Sequence, residues 1–318
     1  IDKMAQADAA ALMRIALLPS ATAAMAVAIS GDPQAGELLA GLARRSLFTD
    51  RRESTPPAYT FHALFGEFLR ARAADVLDAA ALRALCVRAA EILADSGHAD
   101  AAIAQLLQAA AWDEALDLIV AQAGRFVAQG RSAAVRDWIL ALPEASRAGP
   151  HASYWLGYCE LATDPVSALR HLARAQHGYA AAADALGSFY TAAAAADAIV
   201  FLGASLDAIE PWMPLLKSHA PKYLAHRDLD TDLRVLPGLL AAFVYRETAH
   251  PLTTTLADIA EGMLEQPLGA SQRILLGTLA YYLLWTGQLV RLDRIIIKID
   301  RLCAQADAAP ATLLRWYG

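Results

Sequence analysis

Cysteine is scarce: the 318-residue chain carries three, Cys86, Cys159 and Cys303, far apart and each inside an apolar helical pattern. An odd, dispersed set argues against a disulfide framework or a zinc cluster and fits a reducing, cytoplasmic setting. Long charge-free apolar runs are also missing. A membrane span needs about 18 such residues, and the strongest stretch, Ala192 to Leu206, is mostly alanine and contains Asp197. A soluble chain without a membrane partner is expected. Lysine and arginine form no block and the formal net charge is -6, so the clustered cations that phosphate backbones require are lacking and no direct nucleic-acid contact is expected.

Catalytic signatures are lacking as well. A P-loop needs backbone amides and a lysine around phosphate, and the nearest approach, GRFVAQGRS over Gly124 to Ser132, has too long a gap between its glycines and arginine in the lysine position. It reads as a helix ending at Gly130. No Gly-x-Ser-x-Gly elbow occurs, and the pairs His171/His177 and His219/His226 miss the i, i+4 spacing of a helical zinc site. The segment is therefore read as neither an enzyme nor a metal protein. Its start, IDKMAQADAA, has no signal-peptide layout, and LLRWYG at its end sits inside an apolar pattern, which suggests a piece of a longer polypeptide.

What is abundant is alanine. Hydrophobic residues make up 57% of the chain, and alanine propagates helix at little entropic cost while letting helices approach closely. The length suggests about two domains of roughly 150 residues, or one elongated array. Over residues 1–75 three short helices (Ala9 to Ala16, Ala21 to Ala28 and GELLAGLARRS) precede strand candidates SLFTD and YTF, separated by RRESTPPA, and a helix from about His62. Three helices, a hairpin and a closing helix describe a winged-helix domain. Its third helix offers few polar side chains for base edges, which favours a hinge between domains over DNA binding.

Residues 76–318 read as helix after helix: Ala80 to Ser96, Ala99 to Ala110, Trp112 to Gln129, Ala133 to Leu142, Tyr154 to Ala162, Pro165 to Ala182, and finally Pro251 to Glu265, Ser271 to Thr286 and Leu289 to Ala304. Short connections imply antiparallel hairpins stacked as an α-α superhelix, about five or six of them at the usual repeat length. One unit has tetratricopeptide character: Leu156, Gly157 and Tyr158 on one helix, Asp164-Pro165 opening the next, and Ala168 and Ala175 where the helices must meet closely. Other units are degenerate. Aromatic residues Tyr154, Trp155 and Tyr158, Phe189 and Tyr190, and Tyr281, Tyr282 and Trp285 either fill hairpin cores or line a concave ligand surface. Of these Tyr154, Trp155, Tyr158, Tyr190, Tyr281 and Trp285 are the ligand or partner candidates, since adjacent residues on a helix cannot all point inward.

The order of YTFHALFGEFLRARA, RAAEILADSGHADAAIAQLLQAAAWDEALDLI and RDWILALPEA resembles the MalT-type signal-transduction ATPases, also called STAND regulators. These join a nucleotide-binding domain, a winged helix, a helical-repeat sensor and an output domain, often of LuxR type. The resemblance implies a regulatory segment whose nucleotide-binding domain lies outside it, with ATP or ADP as cofactor of the parent and none in the segment. A small-molecule inducer or regulatory protein would bind the array, and the parent would control transcription. In related nucleotide-switch ATPases a Met-His-Asp motif in the winged helix reaches the ADP phosphate. Phe61-His62-Ala63-Leu64 resembles it, with His62 in the histidine place and Ala63 in that of the aspartate, which implies a phosphate-sensing His62 in the parent only.

From the residues themselves, Phe61, Leu64, Phe65, Phe68 and Leu69 form an i, i+3, i+4 stripe expected in the core, with Arg72 at its edge. His62 lies off that stripe, at a helix start where free N–H groups favour an anion. A histidine bonded to a neighbouring carbonyl accounts for it equally. A second function also stays open, a protein-protein interaction scaffold with no nucleotide switch.

Overall fold

The structure, a computed structural model, describes residues 5–203, 205–263 and 274–303. The chain divides into two compact units, Ile1–Leu118 and Ile119–Gly318. In the first, helices α1 (Gln6–Ile15), α2 (Ala23–Ser30) and α3 (Ala35–Arg44) combine with strands β1 (Ala21–Thr22), β2 (Thr49–Arg52) and β3 (Ala58–Phe61). Helices α4 (Ala63–Val76), α5 (Ala79–Asp95) and α6 (Ala99–Gln108) follow. The sheet order is β1-β3-β2, antiparallel throughout. This is a winged-helix domain, as expected, with an added strand: β1 is too short to show alternation in sequence. Thr22 ends it and caps α2, its hydroxyl accepting from Met25 N–H. The second strand begins later than SLFTD suggested, because Ser46 and Phe48 both adopt a left-handed φ of 52° that turns the chain before pairing starts.

Leu12, Ile15, Ile29, Leu39 and Leu69 are fully buried in this unit, each contributing roughly 1.5–3 kcal/mol by removal from water. The stripe expected on α4 is buried only in part. Gly66, Leu69 and Ala73 face inward, whereas Leu64 and Phe68 are 82% and 51% exposed. The nearest atoms to a Cβ on Gly66 would be those of Arg70 on the same helix, so Leu69 and Ala73 define the inward face and the bulky Leu64 and Phe68 lie outside it. The buried face thus runs past Leu69, and Arg72 lies outside it.

In the second unit every described element is helical. Helix α7 (Trp112–Ala128) carries the chain across the division. It is followed by α8 (Ser132–Ala141), the short α9 (Glu144–Arg147), α10 (Pro150–Glu160), α11 (Pro165–Ala181) and α12 (Ala185–Leu202). A 3-10 turn over Leu206–Trp212 leads to α13 (Met213–Ala225), α14 (Leu229–Arg246), α15 (Pro251–Met263), α16 (Ile274–Trp285) and α17 (Leu289–Cys303). Glu265, Ser271 and Ala304, placed at helix ends in the sequence reading, fall outside the described residues, as does the Cys303 side chain. GRFVAQGRS is a helix end: Gly130 takes a φ of 76° and its N–H bonds the Val127 carbonyl.

Consecutive helices pack as α10 on α11 and α11 on α12, while α12 also packs on α14. Glycines make two of these contacts possible. A Cβ on Gly157 would lie 2.8 Å from Leu172 Cγ and 3.0 Å from the Ala168 carbonyl, and one on Gly238 only 1.7 Å from the Ala193 carbonyl. Helix α12 is long and apolar enough by composition to cross a membrane. In this fold it is the core helix of the unit, with Ala192 to Ala196 fully buried despite the nearby Asp197.

Candidate functional site

Around His62 the winged helix builds an apolar collar. His62 is the N-cap residue of α4, but its side chain makes no capping bond. Its backbone N–H instead donates to the Phe48 carbonyl at 2.9 Å, closing the end of the β2–β3 pairing, and its Nε2 meets Asp50 Oδ1 at 3.3 Å. A carboxylate accepts only, so Nε2 carries the proton and Nδ1 is left for another partner. The Phe48 ring stands edge-on to His62 and packs on Phe65 at 5.5 Å between centroids. The left-handed backbone at Phe48 turns this ring outward, leaving it 58% exposed. With Leu64 and Phe68 it borders a shallow depression of about 470 Å³ that His62 and Ala63 also line. Asp50 was invisible to motif reading, because the β2–β3 register brings it to His62 from the opposite strand.

In the second unit the aromatic candidates separate into two groups. Tyr154 and Trp155 are buried, with ring centroids 5.1 Å apart, and Tyr158 is part-buried beside both. The Arg234 guanidinium lies 5.6 Å from the Trp155 ring and 5.0 Å from that of Tyr190, close enough for cation-π attraction. Burial pushes the Tyr154 hydroxyl up to about 12, against the opposing charge and hydrogen bonding of Arg234. Tyr158 donates to the Leu233 carbonyl at 3.4 Å. Tyr154, Trp155, Tyr158 and Tyr190 therefore come together on α10 and α12, and Arg234 of α14, missed in sequence, joins them. Tyr281 and Trp285 lie apart from this cluster on α16, half-exposed and 5.9 Å from each other, with Tyr245 against Trp285. The neighbouring Tyr282 is buried.

A cavity of about 360 Å³ opens beside Tyr190, between α12, α13 and the start of α14. Behind it Asp232 is buried, accepting from Tyr223 Oη at 2.6 Å and from Arg227 through both carboxylate oxygens. This network fixes the turn between α13 and α14. No cluster of three or more metal-ligating side chains exists among the described residues.

Comparison with known proteins gives one match. No curated protein and no solved structure matches the chain significantly. Residues 1–81 match the family model described as the MalT winged helix domain, which spans α1 to the start of α5 and includes His62 and its collar.

Proposed function

We propose that the chain is a regulatory segment of a MalT-like STAND transcriptional regulator. The match of residues 1–81 to the MalT winged helix domain carries this reading. In it, the collar of Phe48, Leu64 and Phe68 is the surface a nucleotide-binding domain of the parent covers, and His62 at its centre meets the ADP phosphate. Three exposed apolar side chains around one histidine suit a contact that is apolar at its rim and polar at one point. With Nε2 donating to Asp50, His62 meets a phosphate oxygen through Nδ1, which donates in the imidazolium form.

The helical array receives the signal, an inducer or a regulatory protein, and shifts the ADP-held resting state by binding the active state more tightly. Transcription control by the parent and a cytoplasmic location belong to the same reading. The coding sequence preceding this segment tests it: a G-x-x-x-x-G-K-[ST] motif between a strand and a helix is expected, and a preceding region without one contradicts the switch. One observation favours the second reading, an interaction scaffold without nucleotide. Tyr281, Leu284 and Trp285 of α16 and Leu289 and Val290 of α17 are all exposed, an apolar face suited to another protein.

A further inference from the structure

The cavity beside Tyr190 has walls of two kinds. Leu186 and the part-buried Tyr190 of α12 give it apolar surface, with Phe189 and Tyr223 buried behind them. His219 and Lys222 of α13 and His226 at its C-cap line it with nitrogen. The Lys222 ammonium has no side-chain partner among the described residues. Both imidazoles are held by Nδ1, His219 at 3.2 Å from the Leu215 carbonyl and His226 at 3.2 Å from that of Lys222. For His226 the carbonyl only accepts, so Nδ1 carries the proton, while His219 Nδ1 also lies 2.8 Å from Ser218 Oγ, a hydroxyl that can donate or accept there. The His219 ring also stacks on Phe189, with centroids 6.0 Å apart.

Asp228 is the acid among the lining residues, and it is committed elsewhere. Its carboxylate accepts from Thr231 N–H at 2.9 Å and Thr231 Oγ1 at 2.6 Å, capping α14. Those bonds hold its carboxyl below the usual range, and hence ionised. The cavity therefore offers an uncommitted cation beside the apolar wall of Leu186 and Tyr190, with two imidazoles to add hydrogen bonds. Its volume reaches the lower end of small-molecule sites, roughly 300 Å³ and above.

We propose that this cavity binds a small aromatic carboxylate, a body of one or two rings lying against Leu186 and Tyr190 with its carboxylate at Lys222. Binding stands on the cavity alone; that the ligand acts as inducer rests on the regulatory reading above. The test is calorimetric titration of the 318-residue chain with benzoate and indole-3-acetate and with their neutral amides, repeated on Lys222→Met. Lys222 is exposed, so the variant should fold, and circular dichroism checks that it does. The carboxylates should bind at least about tenfold more tightly than the amides, the preference expected of one charge-assisted bond, and Lys222→Met should abolish the preference. No carboxylate binding up to about 10 mM, equal binding of the amides, or an unchanged preference in Lys222→Met overturns the proposal. ADP retention by the parent is measured separately, so failure here leaves the nucleotide reading standing.

Discussion

At His62 the informative contact is with Asp50. Sequence alone left this histidine with an alanine where related motifs carry aspartate, and the fold supplies a carboxylate from β2 instead. Motif reading could not find it, because strand register is set by the turn between the strands and not by proximity in the chain. Gly157 was legible for the opposite reason, since its helical partners lie within one hairpin and recur at helical spacing. Gly238 was not, as its contact, the Ala193 carbonyl, lies across the unit. Gly238→Ala should cost at least about 3 kcal/mol of stability in urea denaturation, because backbone carbonyls cannot rotate aside as side chains can. A loss below about 1 kcal/mol would mean that α12 and α14 separate freely. Cysteine chemistry gives a second test at this scale. Burial pushes the Cys159 thiol up to about 12 and raises that of Cys86, and only thiolate attacks alkylating agents. Iodoacetamide at pH 8 should label Cys159 at least about a hundredfold more slowly in the native chain than in urea, read peptide by peptide; equal rates would show an open site.

Helix α4 shows how an element can be recognised while its orientation is misjudged. Both of its faces carry apolar residues at helical spacing, so periodicity gave the helix but could not choose the face. The buried face is the one carrying Gly66, Leu69 and Ala73, a packing outcome that hydrophobic periodicity does not reveal. Leu69→Ala should therefore cost about 2–5 kcal/mol, whereas Leu64→Ser and Phe68→Ser should stay within about 0.5 kcal/mol. Hydrogen exchange of the amides in α1 to α4 measures these differences, and a large cost at Leu64 with none at Leu69 would reverse the assignment. Helix α12 presented a related ambiguity. Apolar nearly all round, it fits a membrane span or a core by composition, and its contacts with α11 and α14 make it core here. His219 and Lys222 of α13 and His226 at its C-cap are present in sequence, but nothing local reveals that Tyr190 of α12 shares a cavity with them.

On the scale of the whole molecule the helical class and the winged helix were legible, because alanine content, helical period and the strand-turn-strand signal agree. The division between Leu118 and Ile119 was not, since it falls inside the continuous helical pattern of α7. The first unit thus groups α5 and α6 with the winged helix, beyond the 1–81 span of the family match. The collar around His62 and the first helices after it therefore belong to one compact body. The account centres on His62, and the most direct measurement is the ADP dissociation constant of the complete polypeptide, by calorimetry, for wild type and His62→Ala. Removing a charge-assisted bond to phosphate should weaken ADP about tenfold or more and raise basal activity; an unchanged dissociation constant, or a wild-type polypeptide that does not bind ADP, contradicts the account.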